Sequence, residues 1–215
     1  MQIETKETGQ SEQRTVQVAH PIGIWGQVTG WEMRFLNVGI NQVAIEVLAP
    51  RSGDRLLEIG FGPGDAIARL TRQITTGLIA GIDHSQTMLI QASRRNAHSI
   101  RQGLVELHQG KIWDLPYPEA TFDKVFAVNS FQFWAQPEPD LEKIYRLLKP
   151  GGLVLIVVRI KDERSWLNFA GASLGKVFVE RARESAIAVG FENVRVERRN
   201  TYPFPAACVK AHKPT

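Results

Sequence analysis

The sequence predicts an α/β protein with a mostly parallel sheet, and three observations lead to this fold class. From residue 51 onward, short apolar stretches alternate with amphipathic segments of helix length, which is the pattern of parallel βα units. A glycine-rich loop follows the first apolar stretch, as in folds that bind a ligand at the edge of a parallel sheet. Two further apolar stretches near the C-terminus suggest that the sheet ends in an antiparallel pair.

The individual strands and helices follow from the length and spacing of the apolar residues. We expect helices at Leu141 to Leu148 and at Lys176 to Val189, and the segment Lys149-Pro150-Gly151-Gly152 predicts a sharp loop after the first of them. Further helices are expected in the gaps between strands. The seven predicted strands are Arg55 to Ile59, Leu78 to Ile82, Leu104 to Gln109, Lys124 to Asn129, Leu153 to Arg159, Val194 to Arg198 and Ala206 to Ala211.

The first 50 residues differ in pattern from the rest of the chain. Residues 1–18 are polar and lack apolar periodicity, which predicts a flexible tail. From Trp31 the apolar positions follow a helical period until Pro50, so residues 19–50 predict a helical lid. We expect residues 19–215 to form one domain, with residues 51–160 as its core and residues 161–215 adding a helix and strands.

Composition and charge exclude several classes of protein. The net charge of +4 comes partly from scattered arginine pairs, such as Arg94 with Arg95, so no nucleic-acid partner is expected. Cys208 is the only cysteine, which excludes an intrachain disulfide and a cysteine-rich zinc site. The N-terminal residues are polar, so we expect no signal peptide, and no apolar run is long enough to span a membrane. We therefore expect a cytoplasmic protein.

The sharpest functional signal is the segment from Leu57 to Asp65, in which a buried strand runs into Gly60, Gly62 and Gly64. Glycine at these positions lets the chain turn tightly and lets a ligand lie against the backbone. A nicotinamide-dependent oxidoreductase, which is the first alternative, would place the third glycine one residue later. Glu58 and Asp65 would also repel a pyrophosphate, whereas they suit the ammonium and sulfonium of S-adenosylmethionine.

A second part of the predicted site follows the second strand. Asp83 ends this strand, at the position where a carboxylate can accept both hydroxyl groups of a ribose. His84 comes next, and Ser85 is a suitable N-cap for the helix that begins there. Met88 would offer an adaptable apolar surface to an adenine ring.

At these residues the chain resembles the class I S-adenosylmethionine-dependent methyltransferases, in particular their small-molecule branch with the ubiquinone and menaquinone biosynthesis enzymes. The resemblance covers residues 50–160. It rests on four motifs in the expected order: the glycine loop, Asp83 with Met88, Leu115-Pro116-Tyr117 before Phe122-Asp123-Lys124-Val125, and Leu147-Leu148-Lys149-Pro150-Gly151-Gly152.

The resemblance implies a Rossmann-like, doubly wound sheet of seven strands with an antiparallel last strand. It also implies S-adenosyl-L-methionine as cofactor, S-adenosyl-L-homocysteine as its product and no metal. The methionine part would lie against Glu58, the glycine loop and Asn129, and the ribose would lie against Asp83. The complete set of predicted cofactor-binding residues is Glu58, Gly60, Phe61, Gly62, Gly64, Asp83, His84, Met88, Lys111, Ile112 and Asn129.

One position departs from the family pattern. Family members usually carry an acidic residue directly after the glycine matching Gly110, where it bonds the adenine amino group, and this chain has Lys111. A lysine cannot accept that hydrogen bond. Either the backbone around Ile112 binds the adenine or Asp114 replaces the missing carboxylate.

Methyl transfer from a sulfonium is an in-line displacement that depends mainly on positioning the acceptor and excluding water. His20, His84 and His108 are candidate bases by residue type, but we assign no catalytic residue. The predicted acceptor contacts are Trp25, Met33, Phe131 and Trp134. For Phe131 and Trp134, which follow the fourth strand, packing in the core is an equally weighted alternative. We expect a small-molecule acceptor; the second alternative is a non-enzymatic protein that binds the cofactor.

Overall fold

The computed structural model describes residues 38–160, 175–202 and 204–215. The predicted tail, most of the predicted lid and the acceptor candidates Trp25 and Met33 lie outside the described residues. Residues 38–48 of the predicted lid form a helix, α1, whose apolar side chains pack into the core. No helix in the described ranges has the length and hydropathy needed to cross a membrane.

One sheet contains seven strands. They are β1 (Arg55–Ile59), β2 (Leu78–Asp83), β3 (Val105–Gln109), β4 (Phe122–Val128), β5 (Leu148–Arg159), β6 (Glu192–Arg199) and β7 (Ala206–His212). Their order in the sheet is β3-β2-β1-β4-β5-β7-β6. The pairs β3–β2, β2–β1, β1–β4 and β4–β5 are parallel, whereas β7 is antiparallel to both β5 and β6. This arrangement confirms the predicted fold class.

Helices cover both faces of the sheet, so its central strands are apolar on both sides. All six residues of β2 are buried, as expected for a strand in a parallel sheet. After α1, the helices are α2 (Asp65–Leu70), α3 (Gln86–Arg95), α4 (Ala97–Arg101), α5 (Pro137–Leu147) and α6 (Gly175–Val189), with short 3₁₀ turns at Ile112–Asp114 and Phe131–Phe133. One core cluster joins α1, α2 and α3 to one face, and a second joins α5 and α6 to the other.

The structure corrects two predicted boundaries around β4 and β5. The expected helix at Leu141 to Leu148 begins earlier, at Pro137, where a proline fits the first helical turn. The segment Lys149-Pro150-Gly151-Gly152 is not a free loop after that helix, because β5 already begins at Leu148. Its glycines lie in a register shift: Leu148 pairs with Phe122, and the next paired residue, Leu153, faces Lys124. Composition predicted a sharp loop, but pairing with β4 makes this segment the irregular first part of β5.

Candidate functional site

The candidate site lies where the strand order reverses, between β1 and β4. In a parallel sheet the loops after the carboxyl ends of such strands diverge and leave a crevice. The glycine loop follows β1 here, and the segment beginning at Asn129 follows β4. The Ser130 hydroxyl donates a hydrogen bond of 2.6 Å to the carbonyl of Ile59, so the two loops are held against each other.

The three glycines of the loop serve two different purposes. A Cβ atom on Gly60 would lie 2.6 Å from Ser130 Cβ, and one on Gly64 would lie 2.8 Å from Ala92 Cβ, so these two glycines allow close packing within the protein. Gly62 has a φ of +52°, and apart from its two chain neighbours no atom of the described residues lies within 4 Å of its Cβ position. Its backbone therefore borders open space that a ligand can approach.

Asp83 organises the glycine loop from the neighbouring strand. Its Oδ2 accepts a hydrogen bond of 2.8 Å from the backbone N–H of Gly62, and its Oδ1 accepts one of 2.9 Å from Ser85. The carboxylate is buried. Ser85 caps α3 as predicted, because its hydroxyl accepts from the backbone N–H of Met88. Each carboxylate oxygen has a further lone pair, so the carboxylate can also accept from ligand hydroxyl groups.

Glu58 carries a carboxyl group whose surroundings disfavour its ionised form. Its side chain is 2% exposed, and its Oε2 has no hydrogen-bond partner among the described residues. Burial raises the pKa of this carboxyl well above its usual range, and the nearby charges of Asp83 and Asp65 raise it further. A cation placed beside it would reverse that shift.

The two carboxylates predicted around the loop differ in their surroundings. Asp65 begins α2, and its Oδ2 lies 3.5 Å from Nη1 of Arg95. The same Nη1 donates to the carbonyl of Pro63. Oδ2 of Asp65 and Oε2 of Glu58 both accept no hydrogen bond among the described residues, but Asp65 is balanced by the charge of Arg95, whereas Glu58 forms no ion pair there.

The loop after β3 contains the departure from the family pattern. Lys111 is exposed, and its backbone N–H donates a hydrogen bond of 2.7 Å to Oδ2 of Asp114. Ile112 is 5% exposed, and the N–H of Gly110 bonds the carbonyl of Asp83 at 3.0 Å. The loop is thus tied to the end of β2. Both explanations for adenine binding, through the backbone near Ile112 or through Asp114, stay open.

The segment after β4 holds a strained residue and a buried aromatic ring. Asn129, predicted to end the strand, lies just beyond β4 with a φ of +53°, a conformation that costs a non-glycine residue energy and clusters at functional sites. Phe131 is 2% exposed and belongs to the core, which favours its core role. Trp134 is half-buried against it, with ring centroids 5.1 Å apart. Their contact with an acceptor stays a prediction.

The histidine candidates take different positions. His20 lies outside the described residues, and His84 is 46% exposed with Nδ1 3.7 Å from Oδ1 of Asp83. His108 lies on the edge strand β3, where its Nε2 and the Tyr117 hydroxyl are 2.9 Å apart. Tyr117 in turn donates to Glu106. In the described ranges, no group of three or more histidine, cysteine or acidic side chains could hold a metal ion.

Sequence reasoning missed three side chains that shape the site. Ser130 ties the two loops together. Nδ2 of Asn96 donates a hydrogen bond of 3.2 Å to the carbonyl of Gly64 and one of 3.0 Å to the carbonyl of Ala92. Nε2 of Gln132 donates a hydrogen bond of 2.8 Å to the carbonyl of Asn129, while its Oε1 is buried and has no hydrogen-bond partner among the described residues. None of these residues belongs to a motif, because each acts on a loop distant in sequence or through local geometry that a pattern does not encode.

Together these features suit a ligand that carries positive charge and hydroxyl groups. The open backbone at Gly62, the buried carboxyl of Glu58 and the anchored carboxylate of Asp83 lie around one crevice. A bound ammonium or sulfonium would satisfy Glu58, and ribose hydroxyl groups would donate to Asp83. The residues present therefore fit S-adenosylmethionine.

Comparison with known proteins decides the family. A family model described as a methyltransferase domain matches residues 57–156, which include the glycine loop, Asp83 and Asn129. The uncharacterized methyltransferase YdaC of Bacillus subtilis is 32% identical over 187 residues, and the match covers 87% of this chain and 98% of that protein. The chain belongs to the S-adenosylmethionine-dependent methyltransferases. The resemblance inferred from the sequence motifs is confirmed.

Other relatives of this methyltransferase support the same assignment. A demethylmenaquinone methyltransferase of Symbiobacterium thermophilum is 33% identical over 130 residues, which is 60% of this chain and 52% of that protein. The methyltransferase thus spans about half the length of that relative. The crystal structure of a methyltransferase from Aquifex aeolicus matches with a TM-score of 0.67 at 20% identity, covering 82% of this chain and 91% of that one, which is a likeness of fold.

Proposed function

We propose that this methyltransferase acts on a small-molecule acceptor, and that its cofactor lies in the crevice bordered by Glu58, the glycine loop and Asp83. The observation that carries the proposal is the buried Glu58 carboxyl, whose Oε2 lacks a partner among the described residues beside the open backbone of Gly62. The other predicted contacts belong to the same proposal: Gly60, Phe61, Gly64, His84, Met88, Lys111, Ile112 and Asn129.

The chain's own residues bind and orient the cofactor. Glu58 attracts a positive charge, because burial without a counter-ion is unfavourable for its ionised form. Asp83 holds Gly62 in place and keeps lone pairs for the ribose hydroxyl groups. The side chains of Phe61 and Met88 are 3% and 4% exposed and lie in the core, so we assign to Phe61 a contact through its backbone.

When bound, S-adenosylmethionine supplies an electrophilic methyl group on its sulfonium. The protein's part is to place the acceptor in line with that group and to keep water out, which is sufficient for a displacement of this kind. We place the acceptor against the segment after β4, which Ser130 holds beside the glycine loop and in which Gln132 offers a buried carbonyl oxygen and Trp134 an apolar surface. These features suit an acceptor with both polar and apolar parts.

The class of acceptor is supported by the relatives, several of which are named as methyltransferases of quinone biosynthesis. We therefore propose a small molecule, with Phe131, Trp134 and the N-terminal residues Trp25 and Met33 as its predicted contacts and residues 19–50 as a lid. We also propose a cytoplasmic location. Burial raises the pKa of the single thiol, Cys208, to about 11, and such an inert free thiol suits a reducing compartment.

Calorimetric titration of the full chain tests the cofactor assignment without knowledge of the acceptor. We expect saturable binding of S-adenosylmethionine and S-adenosylhomocysteine and no binding of NAD, and we expect Asp83→Ala to weaken the two adenosyl ligands. Formation of S-adenosylhomocysteine in a screen of small hydroxyl, amine and quinol compounds then tests turnover. Binding of NAD alone would exclude the cofactor site, whereas cofactor binding without turnover of any acceptor would favour a non-enzymatic role.

A further inference from the structure

A polar groove lies on the β6–β7 hairpin, at the end of the sheet farthest from β3. It is lined by Asn193, Arg195, Glu197, Lys210 and His212. Two strands, β4 and β5, separate the hairpin from β1 and its glycine loop. The groove is therefore a feature distinct from the candidate cofactor site.

Two cations meet across the strands of this groove. Arg195 and Lys210 are directly paired residues of the antiparallel strands β6 and β7, so their side chains leave the sheet side by side. Like charges in such a pair destabilise a sheet. Within the described ranges, neither side chain forms an ion pair. An anion between them would turn the repulsion into attraction.

The acidic residue of the groove does not balance these cations. Oε2 of Glu197 lies 2.5 Å from Nη2 of Arg199, two residues farther along the same strand. Glu197 is thus already paired with a different arginine. The charge left in the groove is positive, contributed by Arg195 and Lys210.

His212 adds a neutral hydrogen-bonding group to the groove. Its Nδ1 is buried and has no partner among the described residues. Partial burial lowers the pKa of this imidazole, and the charges of Lys210 and Arg195 lower it further. At neutral pH His212 is therefore uncharged, and its imidazole can bond a ligand in the groove.

We propose that this groove is a binding site for a small phosphate-bearing anion. A phosphate group carries several acceptor oxygens and a charge near −2, which match one guanidinium, one ammonium, the Asn193 amide and the His212 imidazole. A nucleic acid fits less well, because the groove is confined to one hairpin, whereas a nucleic acid is bound by an extended basic surface. The proposal does not depend on the acceptor or on the residues that bind the cofactor.

Calorimetric titration of the full chain at low salt tests the site, with pyrophosphate as the probe. We expect saturable binding that weakens about tenfold in Arg195→Gln and in Lys210→Gln, because each variant removes a charge-assisted contact. Arg198→Gln is the matched control: it removes the same charge from the same strand, on the opposite face, and should change affinity less than twofold. S-adenosylhomocysteine should bind all three variants as it binds the wild type, which separates this test from that of the cofactor site.

Two further measurements identify the ligand and the contact. Inorganic phosphate and adenosine monophosphate, titrated separately, show whether the site takes a free anion or a phosphate ester, and tighter binding of either supports the proposal. In NMR titrations, pyrophosphate should raise the pKa of His212, because an anion stabilises its protonated form. The proposal is wrong if no ligand saturates, if Arg198→Gln weakens binding as much as Arg195→Gln, if the His212 pKa does not move, or if a short DNA duplex binds these residues more tightly than pyrophosphate.

Discussion

Replacing Glu58 with glutamine should stabilise the protein without its cofactor and weaken the binding of the cofactor. Glu58 is 2% exposed, and burial raises its pKa well above the usual range. A group whose pKa is raised by folding contributes stability below its unfolded pKa, and that contribution is lost as pH rises toward the folded pKa. Glutamine has nearly the same shape and does not ionise, so the variant avoids this loss.

The size of both effects follows from the burial and the missing partner. A buried polar group without a partner costs about 1–3 kcal/mol, and a charged one costs more, so we expect a gain in unfolding free energy on the order of 1 kcal/mol at neutral pH. For a chain of this length, a gain of 1 kcal/mol raises Tm by roughly 2–4 °C. Loss of a hydrogen bond to a charged group costs about 1.5–3 kcal/mol, which weakens cofactor binding by about ten- to a hundredfold.

Calorimetric melting at pH 5 and pH 8, followed by titration with S-adenosylmethionine, measures both effects. The difference in Tm between Glu58→Gln and wild type should grow with pH, while the affinity for the cofactor falls. Glu142→Gln, which removes the same charge from an exposed position on α5, should change neither. An equal Tm at both pH values would refute the reasoning about burial, and an unchanged affinity would remove Glu58 from the cofactor site.

Three further predictions concern the loops. Gly62→Ala should lower the unfolding free energy by ~1–2 kcal/mol and abolish cofactor binding in a calorimetric titration. Gly103 also has a positive φ and open space at its Cβ position, so Gly103→Ala should cost the same stability and keep full binding. Equal cofactor binding by the two variants would contradict the site. Asp83→Asn should weaken binding by about 1.5–3 kcal/mol and speed hydrogen exchange at Gly62, and unchanged exchange would argue against the anchoring bond. Phe131→Ala should lower the urea-derived unfolding free energy by about 3–5 kcal/mol, because the ring is buried; a loss below 1 kcal/mol would contradict the core role.

Much of the fold could be predicted because its signals are local. The length and composition of each apolar stretch located all seven strands, and the position of Ser85 located the start of α3. The predicted boundary between α5 and β5 was wrong because Leu148 and the segment after it take their conformation from pairing with β4. Leu148 pairs with Phe122, which lies 26 residues earlier in the sequence. Local composition contains no information about such a partner.

The sequence by itself determined the family, the sheet and the positions of the glycine loop and Asp83, because each depends on residue type and spacing along the chain. Only the tertiary structure decided which groups have partners. Asp65 faces Arg95 while Oε2 of Glu58 has no hydrogen-bond partner among the described residues, and Arg195 lies opposite Lys210. Charge balance depends on distances across strands and helices far apart in sequence, and those distances exist only once the chain has folded.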